Sequence, residues 1–320
     1  MRPTTKTPQA NWSPTVESEA LSLTLSRWIA ITLLALAALV AMTCGSGLAA
    51  QYGNPQFLID TDWLSEHLSD RNLRIIDMRN NPEEYTYGHI PGAVYLAINR
   101  TRMALKEPGF SLPPDYEIEE TLGQLGITLE TMVVAYDDLG GLNASRLFYT
   151  LDYIGHEKMA LLNGGLTEWV AEGRGLSKEV SRVGKTAYRA RTKTQRVASA
   201  RWIVANLGKT SVGLVDARSP KEFRGEDVRA KRGGHIPGAV NIEWTQHLTD
   251  EKTFKPADEL LALYEKVGVT KDKTVVAYCQ TMHRGALSYF TLRLLGYPNV
   301  RGYDRSWSEW GNDARLPIER

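Results

Sequence analysis

The residues best suited to chemistry lie in one short segment near the end of the chain. Cys279 directly follows the apolar run KTVVAY (273–278). The five residues after it are Gln280, Thr281, Met282, His283 and Arg284. The thiolate is the nucleophilic form of cysteine, and converging backbone N–H groups and nearby positive charge stabilise it. The segment therefore predicts nucleophilic chemistry at Cys279, with His283 and Arg284 adding positive charge or hydrogen bonds.

The elements around this segment predict where the thiol lies. Strand-like apolar runs alternate with helix-period segments, which is typical of α/β units around a parallel sheet. Runs such as VVAY, apolar at consecutive positions, suit strands covered on both faces. Ligands bind such sheets at the carboxyl ends of strands, where a loop leads into a helix. We expect Cys279 at that place; the alternative is a buried, inert cysteine.

Beyond residue 50 the chain contains two copies of one sequence repeat. The paired segments are RIIDMR (74–79) and GLVDAR (213–218), GHIPGAV (88–94 and 234–240), TMVVAY (131–136) and KTVVAY (273–278), and LFYTLDYIG (147–155) and SYFTLRLLG (288–296). The last pair has an offset of 141 residues. Repeats of this length predict two domains, 54–175 and 196–320. The polar, basic segment 176–195 is predicted to link them.

The two repeats differ at the position that carries the chemistry. Where the second repeat has Cys279, the first has Asp137. A carboxylate in that place offers no thiol, so the first domain is predicted to be inactive.

Taken together, these motifs resemble the tandem-domain rhodanese family, the thiosulfate and 3-mercaptopyruvate sulfurtransferases. The matching features are the two Asp-x-Arg strand ends, both GHIPGA segments, the VVAYC loop and the stretch YDRSWSEW at 303–310. The resemblance covers about residues 54–318. It implies an α/β fold of two tandem rhodanese-like domains, each a parallel sheet flanked by helices. It also implies that Cys279 takes sulfur from a small anionic donor as a persulfide and passes it to a thiol, cyanide or a carrier protein.

The resemblance further nominates residues that bind the donor. Arginines in the Asp-x-Arg region do so in the family, which points here to Arg218 and, less securely, to Arg224. Asp216 would be a structural residue. The alternative for Arg218 is an ion pair with Asp216, and the two roles can coexist.

Two positions depart from the family pattern. The loop CQTMHR matches neither CRKGVT of typical thiosulfate enzymes nor CGSGVT of mercaptopyruvate enzymes, and Met282 stands where glycine is usual. Arg305 also replaces a usual glycine. A loop carrying His283 and Arg284 favours dianionic thiosulfate over monoanionic 3-mercaptopyruvate as donor.

Functions from other classes are weighed against sulfur transfer. A phosphatase or arsenate reductase would need the pattern C-x5-R, whereas four residues separate Cys279 from Arg284. A non-catalytic binding module is a second alternative, which the retained cysteine disfavours. The third is carriage of sulfur or selenium to a dedicated partner without turnover, which the residues do not separate from transferase activity.

Composition excludes several further classes. The chain has 320 residues, 42% of them hydrophobic, and a net charge of +1, which suits two globular domains and no nucleic-acid partner. Its two cysteines, Cys44 and Cys279, and six scattered histidines form neither a disulfide framework nor a zinc cluster. No nucleotide-binding glycine loop is present, so we predict no cofactor and no metal.

Residues 1–50 are predicted to be a targeting segment. Arg27 precedes an apolar run of 15 residues, 28–42, which is followed by small residues. This run is shorter than the ~20 residues that span a bilayer, as in a secretory signal. The alternatives are a retained anchor, with membrane attachment through residues 28–43, and a lipid on Cys44. We therefore expect an extracytoplasmic protein, periplasmic or secreted, either free or anchored to the membrane.

Overall fold

The computed structural model describes residues 51–107 and 109–320. The predictions for the targeting segment, the membrane attachment and Cys44 lie outside these residues. Within them, no helix combines the length and the apolar character that crossing a membrane requires.

Strands and helices alternate along both halves of the chain. The first half contains strands β1 (Leu58–Ile59), β2 (Leu73–Asp77), β3 (Val94–Tyr95), β4 (Met103–Ala104), β5 (Phe110–Ser111), β6 (Met132–Tyr136) and β7 (Met159–Leu162). Its helices are α1 (Thr61–His67), α2 (Pro82–Tyr87), α3 (Asp115–Gln124), α4 (Leu142–Tyr153) and α5 (Gly165–Ala171). The second half contains strands β8 (Val212–Asp216), β9 (Ala239–Asn241), β10 (Thr274–Tyr278) and β11 (Val300–Gly302). Its helices are α6 (Ala200–Val204), α7 (Pro220–Phe223), α8 (Ala257–Glu265), α9 (Arg284–Leu294) and α10 (Ser306–Trp310). Short 3-10 helices lie at Pro55–Phe57, Ile98–Thr101, Thr194–Arg196 and Trp244–His247.

Each half is built on its own parallel sheet. The strand order is β1-β7-β6-β2-β3 in the first sheet and β11-β10-β8-β9 in the second. A parallel bridge between Val197 and Gly302 continues the second sheet in the place that β1 occupies beside β7. The prediction of two α/β domains with parallel sheets flanked by helices is confirmed. The exact domain boundaries stay a prediction.

The segment predicted as a linker packs along the first domain. Ser177 and His89 exchange backbone hydrogen bonds, and Thr186 N donates to Gly123 O at 2.9 Å. Tyr188 is 3% exposed. This segment therefore buries part of the first domain while it leads to the second.

The two repeated motifs form one structural device in each domain. In the second domain Arg218 Nη2 lies 2.6 Å from Asp216 Oδ2 and donates to Gly234 O at 2.7 Å. Tyr278, at the end of the neighbouring strand, accepts from Ile236 N at 3.2 Å. The ion pair and the tyrosine thus fasten the GHIPG turn to the strand ends. The first domain repeats these contacts with Asp77, Arg79, Tyr136, Gly88 and Ile90.

Helices α4 and α9 join the two domains around an approximate two-fold axis. The rings of Phe148 and Phe290 lie 4.9 Å apart, and those of Tyr149 and Tyr289 lie 5.0 Å apart. At the offset of 141 residues Phe148 matches Tyr289 and Tyr149 matches Phe290. Exchanging the two repeats therefore turns the Phe148–Phe290 contact into the Tyr289–Tyr149 contact, as a two-fold axis does in a dimer interface. This packing turns the loops before α4 and α9 toward the opposite domain.

The Tyr289→Phe substitution tests this interface. The Tyr289 hydroxyl donates to the buried Asp152 Oδ2 at 2.7 Å. Because its loss removes a hydrogen bond to a charged acceptor, we expect the free energy of unfolding to fall by about 1.5–3 kcal/mol. Urea denaturation followed by circular dichroism would measure it. Tyr116→Phe is the matched control, since Tyr116 is 66% exposed and should change stability by less than about 0.5 kcal/mol. Equal effects of the two substitutions would contradict this account of the interface.

Candidate active site

Cys279 opens the loop between β10 and α9. Its side chain is 1% exposed, and its Sγ accepts from Thr281 N at 3.4 Å. Ser306 Oγ, from the start of α10, accepts from the backbone N–H of Cys279 at 3.3 Å and of Met282 at 3.0 Å. The thiol therefore lies at the carboxyl end of a central strand, in a loop that a neighbouring hydroxyl holds in place.

Met282 takes the backbone conformation that glycine adopts most easily. Its φ is +55°, and its side chain is fully buried in the core. The left-handed conformation costs a residue with a side chain about 1–2 kcal/mol. Burial of a methionine side chain contributes about 1.5–3 kcal/mol, which offsets that cost. The loop thus keeps the turn that a glycine would make.

The loop of the first domain is an anion-binding cradle filled from within. The carboxylate of Asp137 is fully buried and accepts four backbone N–H groups. These belong to Leu139 and Gly141, both at 2.8 Å from Oδ1, and to Asn143 and Ala144, at 2.7 and 2.9 Å from Oδ2. Burial raises the pKa of Asp137, and the four N–H groups oppose that rise. The first turn of α4 and the loop before it therefore point their donors at one buried charge.

His283 contributes a hydrogen bond and no charge. Its Nε2 lies 2.7 Å from Oδ1 of Asn143 in the first domain. The Asn143 amide nitrogen donates to Met78 O, so its oxygen accepts and His283 carries the proton on Nε2. Burial, together with Arg102, Arg146 and Arg284, lowers the pKa of His283 to about 4. At neutral pH the ring is therefore uncharged. Of the positive charge and the hydrogen bond expected from His283, the structure provides the hydrogen bond.

Arg284 and Gln280 form hydrogen bonds with α7 and with the segment that follows it. Arg284 makes a bidentate pair with Glu222, at 2.6 and 2.9 Å. Burial acts to lower the pKa of Arg284, but Glu222 and the charge of Cys279 raise it overall. Burial likewise opposes the effect of Arg284 on Glu222, whose pKa nevertheless falls to about 2. Gln280 Nε2 donates to Arg229 O at 3.0 Å. The positive charge of Arg284 is thus fixed by a carboxylate while it acts on Cys279.

The two arginines nominated for donor binding are both paired with carboxylates. Arg218 is 1% exposed, paired with Asp216, and covered by the Trp307 ring at 4.5 Å. The ion pair with Asp216 that the sequence offered for Arg218 is therefore present, and donor binding by Arg218 stays a prediction. Arg224 lies on the surface and pairs with Glu226 at 2.7 Å. Donor binding by Arg224 stays a prediction.

Sequence reasoning missed the residues that the first domain places at the Cys279 loop. Arg146 is 1% exposed and donates to Asp304 Oδ1 at 2.7 Å and to Met282 O at 3.4 Å. It also donates to Thr101 O at 3.1 Å. One guanidinium from α4 thus joins the active-site loop, the end of β11 and the segment before β4. Its place in the first half of α4 was the available signal, because both repeats begin a helix five residues after the cysteine position, at Leu142 and Arg284.

Each domain covers the cysteine-position loop of the other. In the first domain, Leu112 N donates to Asp304 beside the Cys279 loop. In the second domain, Lys252 Nζ donates to Asp138 O at 3.1 Å, beside the Asp137 loop. The approximate two-fold axis therefore closes both loops from the opposite side.

Within residues 51–107 and 109–320, no group of three or more His, Cys, Asp or Glu side chains is arranged to hold a metal ion.

Comparison with known proteins decides the family. A model of the rhodanese-like domain matches residues 60–172 and again 199–313. The chain belongs to the rhodanese family. The resemblance drawn from the motifs is thereby confirmed, as two tandem domains.

Several rhodanese relatives match nearly their full length. The thiosulfate sulfurtransferase of Azotobacter vinelandii is 40% identical over 256 residues, which cover 80% of this chain and 94% of that protein. The sulfur carrier protein TtuD of Thermus thermophilus is 39% identical, with 84% and 98% covered. The 3-mercaptopyruvate sulfurtransferase of Escherichia coli is 31% identical, with 82% and 98% covered. Among solved structures, the anaerobic ergothioneine biosynthesis enzyme of Chlorobium limicola, in complex with trimethyl histidine, has a TM-score of 0.76 and 26% identity, with 83% and 71% covered.

The lowered pKa of His283 gives this rhodanese a testable pH dependence. As pH falls below 6.5, the unfolded chain binds a proton at His283 that the folded state does not bind until pH 4, so the folded state loses stability. Between pH 7.5 and 5 we expect wild type to lose about 2 kcal/mol more than His283→Gln. Urea titrations of both proteins across this range would measure the difference. Parallel stability curves would show that His283 titrates normally in the fold.

Proposed function

We propose that this sulfurtransferase takes the outer sulfur of thiosulfate onto Cys279 as a persulfide and passes it to a thiophilic acceptor. Thiosulfate is the proposed donor, with 3-mercaptopyruvate as the alternative. Sulfur transfer is the function common to the curated relatives named above.

The loop of the first domain, filled by the Asp137 carboxylate, is the observation that supports a persulfide on Cys279. In Asp137 the charged oxygen lies two bonds beyond Cβ, and in a persulfide the charged outer sulfur lies two bonds beyond Cβ as well. The Asp137 oxygens receive four N–H groups, and Cys279 opens the corresponding loop. A persulfide on Cys279 would extend toward the donors of its own loop, as the carboxylate does. The N–H groups of the Cys279 loop, beginning with that of Thr281, would stabilise the anionic outer sulfur until an acceptor removes it.

The proposed cycle balances without a cofactor. The Cys279 thiolate attacks the outer sulfur of thiosulfate and forms the new S–S bond. The bond between that sulfur and the central sulfur breaks, and its electron pair leaves with sulfite. A nucleophile such as cyanide then attacks the outer sulfur, leaves as thiocyanate and regenerates the thiolate.

Charge around the loop favours thiosulfate as donor. The positive charges of Arg102, Arg146 and Arg284 all act on His283, which adjoins the Cys279 loop. A dianion gains more from such a site than a monoanion does. The relatives point the same way, since those at 40% and 35% identity include thiosulfate sulfurtransferases, whereas the mercaptopyruvate enzyme is 31% identical.

Delivery of sulfur to a carrier protein is a second candidate. The relative named a sulfur carrier protein is 39% identical to this chain and almost as similar as the first thiosulfate enzyme. In this case the persulfide on Cys279 would form in the same way and wait for a protein thiol. Transfer to a small acceptor would then be slow.

We also propose that residues 1–50 direct the chain out of the cytoplasm. The support is the pattern of a positive residue, a short apolar run and small residues. Fractionation of cells that express the C-terminally tagged full chain, followed by N-terminal sequencing, would separate cleavage from anchoring. Recovery of the uncleaved chain in the cytoplasm would overturn this proposal.

The Cys279→Ser substitution tests the sulfur transfer. The full-length chain would be incubated with thiosulfate or 3-mercaptopyruvate and cyanide while thiocyanate is measured. We expect Cys279→Ser to lower turnover about a thousandfold or more, because the nucleophile is lost. Cys44→Ser is the matched control and should retain wild-type turnover, since Cys44 lies in the targeting segment.

Mass spectrometry completes the test. Wild type treated with donor and no acceptor should gain about 32 Da, the mass of one sulfur atom held as a persulfide. Loading without rapid thiocyanate formation would favour the carrier function. Absence of both loading and thiocyanate, with either donor, would overturn the proposed function.

A further inference from the structure

The arginines around the Cys279 loop differ in their carboxylate partners. Arg284 pairs with Glu222, Arg146 with Asp304, and Arg218 with Asp216. Arg102 has no such partner in the described part of the chain. Its Nε is buried and makes no hydrogen bond to any of the described residues. Burial of an unpaired guanidinium is costly, and binding of an anion would offset that cost.

The backbone of Arg102 is fixed beside the active-site loop. The guanidinium of Arg146 donates to O of Thr101, the preceding residue, and also to O of Met282 in the loop. The guanidinium carbon of Arg102 lies 4.4 Å from the centre of the Phe110 ring, on β5. These contacts place a cation of the first domain at the rim of the loop that carries Cys279.

Arg102 is also open to solvent through a cleft. The cleft has a volume of about 550 Å³, and its lining includes Arg100, Phe110 and Tyr116 besides Arg102. Cys279 itself is 1% exposed. Burial and Arg146 lower the pKa of Arg102, whereas the charge of Cys279 acts to raise it, which places the guanidinium within electrostatic reach of Cys279. The cleft therefore presents the Arg102 cation to an anion that enters it.

We infer that Arg102 binds the anionic end of the sulfur donor and thereby makes the first domain a determinant of donor specificity. This inference rests on the proposed function. The thiosulfate sulfonate group carries negative charge opposite the sulfur that Cys279 attacks. Arg102 would hold that group while the S–S bond forms on Cys279. When the donor bond breaks, the electron pair leaves with sulfite, whose two negative charges remain beside the same guanidinium.

The test separates donor binding from general damage to the loop. In a ping-pong reaction, kcat/KM for thiosulfate reports loading of the cysteine, and kcat/KM for cyanide reports unloading. We expect Arg102→Gln to lower the former at least about tenfold, as the loss of one charged contact would, and the latter less than about twofold. Arg102→Lys keeps the charge and should recover part of the loss. Thiosulfate should lose more than 3-mercaptopyruvate, since it carries the greater charge.

Arg100→Gln is the matched control. Arg100 lines the same cleft but donates to Thr121 Oγ1 and is absent from the charges that act on His283. Its substitution should leave both values within about twofold of wild type. If Arg102→Gln behaves like Arg100→Gln, or lowers both values equally, the inference is wrong while the proposed function stands. If wild type itself forms no thiocyanate, the proposed function has failed first.

Discussion

The packing of α4 against α9 is the constraint on which the site depends. Two aromatic pairs, Phe148–Phe290 and Tyr149–Tyr289, relate the domains by an approximate two-fold axis. Because both helices begin at the cysteine-position loops, this axis brings each loop under the opposite domain. Arg146 then reaches the carbonyl of Met282 and the carboxylate of Asp304. The active site is therefore a property of the pair of domains, although its nucleophile belongs to one of them.

The Asp137 loop and the Cys279 loop occupy equivalent positions in the two domains but hold different side chains. In the first domain a carboxylate fills the cradle permanently and satisfies its four N–H donors. In the second, Cys279 ends at Sγ and accepts from Thr281 N alone among these backbone groups, at 3.4 Å. The N–H groups of Met282 and Ala286 donate instead to Ser306 Oγ and His283 O, at 3.0 and 3.2 Å. The same position of the loop thus holds a buried carboxylate in the first domain and a thiol in the second.

The sequence predicted the parts of this arrangement that repeat within one domain. The internal repeat predicted two parallel α/β sheets, and the run VVAY before Cys279 predicted a thiol at a strand end. The contributions of Arg102, Arg146 and Asn143 were not predicted, because they depend on how one domain faces the other. The motif around Arg218 left two roles open, donor binding and an ion pair with Asp216, and the structure shows the ion pair. Met282 shows a third limit, since a buried side chain stabilises a conformation usually reserved for glycine.

The ion pair between Arg146 and Asp304 has a consequence for the evolution and engineering of this chain. Both partners are buried and the pair crosses from one domain to the other, so replacing one partner alone would leave the other as an uncompensated buried charge. Such charges cost several kcal/mol when their counter-ion is removed without rehydration. Arg146 and Asp304 can therefore be replaced only together, although they lie in different domains. Through this contact the domain that carries Asp137 constrains the sequence of the domain that carries Cys279.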